Sequence, residues 1–173
     1  MAALPKVEAI VGSAGLDILV NNAGLLEPYP VAGPVNRATL ARMYDVNSVG
    51  ALIVTQVFLP LLKKSRLPKV AMISSQGGSI GACLGSFPPL EIIGYAMTKS
   101  AMNQLMKTLA VDHFNEPIIF TSFCPGEVQT EMTAGRGTLT VEESTAVLVD
   151  SIKKLTKVHS GGYYRIDMKA IPF

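Results

Sequence analysis

The chain has 173 residues and a formal net charge of +2, and its longest basic run is Lys63-Lys64, so nucleic-acid binding has little support. Hydrophobic residues make up 49% of the sequence and charged residues 16%, which excludes a disordered chain. The two cysteines, Cys83 and Cys124, are too few for a disulfide framework and lack metal-ligand spacing. We therefore expect reduced thiols, no metal site and a cytoplasmic location.

No membrane partner is expected either. The most apolar run, residues 50–62, contains Thr55, Gln56 and Pro60 and is too short to span a bilayer. The amino terminus has no basic-then-apolar signal pattern.

Apolar residues at helical and strand spacing predict a regular alternation of helices and strands. In chain order the predictions are a helix at 4–11, a strand at 16–20, a helix at 39–65, a strand at 69–74, a helix at 94–115, a strand at 117–124, a helix at 141–155 and a strand at 163–168. Such alternation is typical of a parallel α/β sheet with right-handed crossovers. We therefore predict one α/β domain over residues 1–173.

The predicted helix at 39–65 is apolar on more than one side. Met43 and Ala51 belong to one stripe, whereas Val46 and Ile53 belong to a second. One sheet cannot cover both sides of a helix, so we expect a homo-oligomer that associates through this helix and the helix at 94–115.

Polar or Gly/Pro residues follow three of the predicted strands, namely Asn21, Ser74-Ser75 and Pro125-Gly126. In parallel α/β sheets, ligands bind outside the carboxyl ends of the strands. These residues therefore predict a ligand cleft at that edge of the sheet.

Tyr95 and Lys99 lie four residues apart on the predicted helix at 94–115 and share one face of it. An ammonium near a phenol lowers the pKa of the phenol, which suits the phenol to general acid–base work near neutral pH. The same spacing also occurs between residues with no catalytic role. Ser75 either hydrogen-bonds a substrate carbonyl oxygen or serves as a turn or cap, and Asn47 either cross-links the core or holds a water.

Five motifs in register resemble the short-chain dehydrogenase/reductase family: Asn21-Asn22-Ala23-Gly24, Asn47, Ile73-Ser74-Ser75, Tyr95 with Lys99, and Pro125-Gly126-Glu127-Val128-Gln129-Thr130. The resemblance is closest to the sniffer-like and C-factor-like carbonyl reductases, whose long loop before the tyrosine and whose carboxyl-terminal Gly161-Gly162-Tyr163-Tyr164 segment are similar. It implies a partial Rossmann-like, doubly wound parallel sheet. It also implies an NAD(P)-dependent oxidoreductase that transfers hydride between nicotinamide and a carbonyl or alcohol substrate.

The resemblance implies a catalytic role for each of four residues. Tyr95 is the proton donor or acceptor, and Lys99 lowers its pKa and holds the nicotinamide ribose. Ser75 polarises the carbonyl, and Asn47 positions a water in a proton relay that ends at Lys99. The implied cofactor is NADP or NAD, and only the resemblance favours NADP.

The implied cofactor-binding residues come from both sides of the cleft. Asn21 and Asn22 tie strand to strand, and Thr130 bonds the carboxamide of the nicotinamide. The implied cofactor-binding set is Asn22, Ala23, Gly24, Tyr95, Lys99, Pro125, Gly126, Val128 and Thr130.

One motif of that family has no match in this sequence. The family's glycine-rich phosphate loop opens a helix, whereas Gly12-Ser13-Ala14-Gly15 precedes a strand. We therefore interpret the chain as lacking the amino-terminal phosphate-binding segment. On this interpretation the strand at 16–20 lies at a sheet edge, and the chain alone binds NAD(P)H weakly.

Three functions stay open on the sequence. The first is carbonyl reduction, which the intact catalytic set supports. The second is a truncated, non-catalytic family member that acts only through subunit association, and the third is an epimerase or dehydratase, which normally needs a larger carboxyl-terminal substrate domain. The loops at 27–37 and 77–90 hold Tyr29, Leu84, Phe87 and Leu90, so we expect a small, apolar carbonyl or alcohol substrate.

Overall fold

Helices and strands alternate along the chain in the computed structural model, which describes residues 2–82 and 91–173. In chain order they are α1 (Leu4–Val11), β1 (Ile18–Asn21), α2 (Arg37–Tyr44), a π-helical turn (Asp45–Val49), α3 (Gly50–Leu62), β2 (Lys69–Ile73), α4 (Ile93–Asp112), β3 (Ile119–Cys124), α5 (Val141–Lys154) and β4 (Tyr163–Arg165). The predicted elements are therefore confirmed, with shifted ends.

The four strands form one parallel sheet in the order β1-β2-β3-β4. Parallel strands end at the same edge of a sheet. The segments that follow β1, β2 and β3 therefore leave the sheet on one side, which is where the sequence predicts the cleft. Among the described residues β1 pairs only with β2, so the expected edge position of this strand is confirmed.

Helices cover both faces of the sheet, as a doubly wound arrangement requires. Val70 and Met72 pack against α3 and α4 in one core cluster. Ala71 and Ile73 point to the opposite face and pack against α5 in a second cluster. Because neighbouring residues of β2 are buried on opposite faces, the strand has no polar residue between Val70 and Ile73.

The long helix begins earlier and ends earlier than predicted. Asn36 caps it, because its side-chain oxygen accepts the Thr39 N–H at 3.1 Å. From Arg37 to Leu62 the helix is continuous through the π-helical turn, and its 26 residues, with a mean hydropathy of 1.5 over an 18-residue window, would suffice for a membrane span by length and composition alone. The apolar run considered in the sequence is thus part of a longer helix, which packs its inner side onto the sheet and α4.

The final strand is half as long as predicted. It ends at Arg165, where the chain turns back so that the Arg165 N–H donates to the Lys169 carbonyl at 2.8 Å. Met168 takes a φ of +66° in this turn, a backbone conformation that its side chain does not favour. Strand periodicity in the sequence continues to Met168 and does not show the reversal.

Candidate active site

The segment after β1, the long helix and α4 approach each other at one point. A Cβ added to Gly24 would lie 3.7 Å from Lys99 Nζ and 3.8 Å from Asn47 Oδ1. Residues that are far apart in sequence are therefore neighbours at the carboxyl edge of the sheet.

Lys99 and Tyr95 share one face of α4, as their spacing predicts. The Lys99 ammonium lies 5.6 Å from the centroid of the Tyr95 ring. It donates a 2.7 Å hydrogen bond to the Ile73 carbonyl at the end of β2. The side chain is only 2% exposed, and this burial lowers the pKa of Lys99 to about 8.

The acidity of Tyr95 differs from the expectation. Burial of the phenol has the largest effect and raises the pKa of Tyr95. The Ser75 side chain lowers this pKa and the nearby Cys124 raises it, so the pKa is about 12. The predicted lowering by Lys99 is not found, because desolvation dominates and the ammonium is bonded to Ile73 instead. Tyr95 is therefore protonated at neutral pH and is suited to donating a proton.

The structure shows one of the two roles that the sequence left open for Ser75. Its Oγ accepts the Gly77 N–H at 3.2 Å, which caps the short 3₁₀ turn Gln76–Gly78. The same side chain is close enough to Tyr95 to lower the pKa of that phenol. The preceding Ser74 is buried, and no partner for its Oγ is present among the described residues.

Asn47 lies in the π-helical turn and is fully buried. Its Oδ1 accepts the Leu25 N–H at 2.7 Å. Its Nδ2 donates to the Leu25 carbonyl and to Thr98 Oγ1, both at 2.8 Å. Asn47 thus joins the segment after β1 to α4, and π-helical turns of this kind often occur at functional sites.

The predicted pair of asparagines divides into one structural and one exposed residue. Asn21 is buried, and its Nδ2 contacts Thr55 Oγ1 at 3.0 Å and Met72 Sδ at 3.2 Å, which links β1 to α3 and β2. Asn22, Ala23 and Gly24 are exposed. Their backbone is accessible to a ligand at the cleft.

The segment after β3 forms the opposite wall. Gly126 has a φ of +87°, and a Cβ there would lie 2.9 Å from Leu139 Cδ1, so the turn favours glycine. Thr130 begins a short 3₁₀ turn, Glu131–Thr133. In that turn Met132 comes within 3.7 Å of a Cβ placed on Gly24, so the two walls meet across the cleft.

These residues fit the nicotinamide end of a dinucleotide. Two open backbone segments, around Gly24 and Gly126, flank the buried Lys99 ammonium. Pro125 and Val128 are half-buried beside them. Within residues 2–82 and 91–173, no glycine-rich turn leads from a strand into a helix, and no group of three or more His, Cys, Asp and Glu side chains could hold a metal ion.

A cavity of about 410 Å³ lies beside Gln76, the residue after Ser75, and neither Ser75 nor Tyr95 lines it. Cys124, Leu139, Arg165 and Ile166 are also part of its lining. Its size is in the range of small-molecule sites. Of the predicted substrate-loop residues, Tyr29 accepts the Asn36 N–H at 3.1 Å through its hydroxyl oxygen.

Several residues at the site had no signal in the sequence. Gln76 is one, and its backbone N–H contacts Cys124 Sγ at 3.3 Å. Tyr163 is another, and it reaches the site from β4. The predicted substrate residues Leu84, Phe87 and Leu90, together with Cys83, lie outside the described residues.

Comparison with known proteins shows a family match and similar folds. The family model of the short chain dehydrogenases matches residues 2–139. The chain is 31% identical over 158 residues to the C-signal protein of Myxococcus xanthus, an alignment that covers 91% of this chain and 93% of that protein.

Two solved structures are similar over nearly the whole chain. The Sniffer protein of Caenorhabditis elegans is 37% identical with a TM-score of 0.87, and the match covers 99% of this chain and 72% of that one. The NADPH-bound carbonyl reductase from chicken fatty liver is 25% identical with a TM-score of 0.91, and the match covers 99% and 71%.

Proposed function

The chain belongs to the short-chain dehydrogenase family of oxidoreductases, and from this membership we propose that it is an NAD(P)-dependent carbonyl reductase with Tyr95 as its acid. One observation carries the proposal: at the carboxyl edge of the sheet the Lys99 ammonium lies 5.6 Å from the Tyr95 ring, and Ser75 is close enough to the phenol to lower its pKa. The three groups provide an acid and a carbonyl-polarising hydroxyl.

We favour NADPH over NADH because the chicken carbonyl reductase holds NADPH. When bound, the nicotinamide supplies the hydride that reduces the carbonyl carbon. The residues that would hold this half of the cofactor are the predicted set: Asn22, Ala23, Gly24, Tyr95, Lys99, Pro125, Gly126, Val128 and Thr130.

The chain's own residues handle the carbonyl oxygen and its proton. The Ser75 hydroxyl donates a hydrogen bond to the oxygen and stabilises the negative charge that develops there. Tyr95 then gives its proton to that oxygen, which completes the alcohol. Because its pKa is raised to about 12, Tyr95 is protonated at neutral pH, which favours reduction over oxidation.

Lys99 and Asn47 support this proton transfer. With a pKa lowered to about 8, Lys99 is mostly an ammonium at pH 7, and its role in the proposal is to hold the nicotinamide ribose next to Tyr95. Asn47 holds the Leu25 backbone against α4. We retain the proposal that a water near Asn47 relays a proton towards Lys99.

The substrate we propose is a small carbonyl compound with an apolar body. Leu139, Val147 and Ile166 provide an apolar wall to the cavity beside Gln76. Its charged lining residues are Glu127, Arg165 and Asp167. We propose that the carbonyl group of the substrate approaches Ser75 and that its apolar part lies against this wall.

We also propose that the protein is a cytoplasmic homo-oligomer. Val46, Val49 and Ile53 are exposed and recur three or four residues apart on the long helix, and Met97 is exposed on α4. Their spacing places the helix residues along one side, opposite the buried Asn47. An apolar stripe of this kind also supports the second candidate function, a non-catalytic protein that acts through subunit association.

The test of the proposed function is NADPH oxidation, followed at 340 nm with a panel of apolar aldehydes and ketones. Because the chain alone is expected to bind NADPH weakly, we expect turnover by the wild-type chain at high NADPH concentration, and a loss of about 10²–10⁴-fold in Tyr95→Phe, since general acid catalysis contributes that much. Tyr164→Phe is the matched control, since it removes a phenol from β4 with no hydrogen bond among the described contacts. A wild-type chain without turnover at saturating NADPH would favour the non-catalytic candidate, and an active Tyr95→Phe variant would exclude Tyr95 as the acid.

A further inference from the structure

Tyr163 is the first residue of β4, and its phenol reaches the site from 88 residues further along the chain. The side chain is 2% exposed. Its hydroxyl donates a 2.5 Å hydrogen bond to the Ser75 carbonyl. The bond connects the last strand of the sheet to the loop that holds the carbonyl-polarising hydroxyl.

The Ser75 carbonyl is held by two donors. The Gly78 N–H donates to the same oxygen at 2.8 Å and closes the 3₁₀ turn. This 3₁₀ turn also fixes the orientation of the Ser75 side chain, because the Gly77 N–H donates to Ser75 Oγ at 3.2 Å. The Tyr163 hydroxyl therefore restrains the peptide of Ser75, whose side chain is close enough to Tyr95 to lower the pKa of that phenol.

We propose that Tyr163 is a positioning residue for the active site: its buried hydroxyl holds the Ser75 carbonyl and thereby orients the Ser75 hydroxyl towards Tyr95 and the substrate oxygen. The inference rests on the proposed function and adds to it a residue that contacts neither substrate nor cofactor. The part of Tyr163 that matters for function is the hydrogen bond of its hydroxyl, and not its ring.

The surroundings of Tyr163 explain why a hydroxyl at this place is a stable donor. The ring packs in a small apolar cluster with Cys124 and Ile171. Burial is the main cause that raises the pKa of Tyr163, and Cys124 raises it further. The phenol is therefore protonated throughout the working pH range and keeps its hydrogen for the Ser75 carbonyl.

The test is Tyr163→Phe, which keeps the ring in its cluster and removes only the donor. The control is Tyr164→Phe, the same change at the next residue of β4, whose ring packs on the opposite face against Phe123 and His159. We expect Tyr163→Phe to lower kcat about tenfold, less than the 10²-fold loss that follows a misplacement of about 1 Å. KM for NADPH should change less than kcat, because the Ser75 peptide that Tyr163 binds is not among the proposed cofactor-binding residues.

Amide hydrogen exchange provides a readout that does not depend on turnover. The Gly78 amide should exchange faster in Tyr163→Phe than in wild type, because the carbonyl that it binds has lost its second restraint. Tyr164→Phe should leave both kcat and this exchange rate unchanged.

The outcomes separate this inference from the proposed function. Faster Gly78 exchange only in Tyr163→Phe, in a protein without NADPH turnover, would support the positioning contact and refute the reductase. An unchanged Gly78 exchange rate in Tyr163→Phe would overturn the inference, whatever the activity. Faster exchange with an unaltered kcat in an active protein would overturn it as well, since the contact would then have no effect on the reaction.

Discussion

Replacement of the buried Lys99 by methionine should change how the stability of the protein depends on pH. The ammonium is 2% exposed, and its burial lowers the pKa from 10.5 to about 8. Methionine has a similar length and no charge, so Lys99→Met removes the titration and keeps most of the packing.

The direction and size of the effect follow from the two pKa values. Between pH 8 and 10.5 the unfolded chain binds more protons at Lys99 than the folded chain does, so this group makes stability rise with pH. Below pH 8 the folded protein carries the full cost of a buried ammonium, roughly 3 kcal/mol for a pKa difference of this size. From pH 8 to 10 we expect the free energy of unfolding of wild type, relative to Lys99→Met, to increase by about 2 kcal/mol.

The upper limit of pH 10 keeps Tyr95 from obscuring the result. The pKa of Tyr95 in the folded protein is raised to about 12. Its contribution to the free energy of unfolding is therefore fully present below the unfolded pKa near 10 and is lost only as the pH rises further. Within pH 8–10 the rising stability can thus be attributed to Lys99.

The measurement is urea denaturation of wild type and Lys99→Met at half-unit pH steps. Lys6→Met is the matched control, because Lys6 lies exposed on α1, and its difference from wild type should be constant over the same range. A constant difference between wild type and Lys99→Met would refute the argument that burial destabilises the Lys99 ammonium.

Two further predictions concern the long helix. Asn47→Ala should destabilise the protein by about 3 kcal/mol in urea denaturation, since it removes three hydrogen bonds worth about 1 kcal/mol each. The control, Asn22→Ala, changes an exposed residue and should alter stability by less than about 0.5 kcal/mol. Equal effects of the two substitutions would contradict the structural role of Asn47. Ile53→Glu, which places a charge in the exposed apolar stripe, should convert the oligomer to monomers in sedimentation equilibrium, whereas a monomeric wild type at micromolar concentration would show that the oligomer proposal is wrong.

The alternation of elements could be predicted because it depends on local periodicity. The run at 117–124 is apolar except for Thr121 and Ser122, as is typical of a strand buried on both faces, and β3 lies there with every residue buried. The reversal after Arg165 could not be predicted, because it depends on how Lys169 folds back on the strand. Similarly, Asn36 is a capping residue type, but only the folded helix shows that it caps at this position.

At the proposed site, the sequence by itself determined which residue types lie together. Tyr95 and Lys99 share a face because a helix brings residues four apart together, and Ser75 reaches the edge because its strand ends there. Only the tertiary structure decided how these groups behave. Burial raises the pKa of Tyr95, Lys99 bonds a strand carbonyl, and Tyr163 holds Ser75 from 88 residues away. Desolvation and contacts between distant residues exist only after the sheet and its helices have packed, so no local pattern in the chain can contain them.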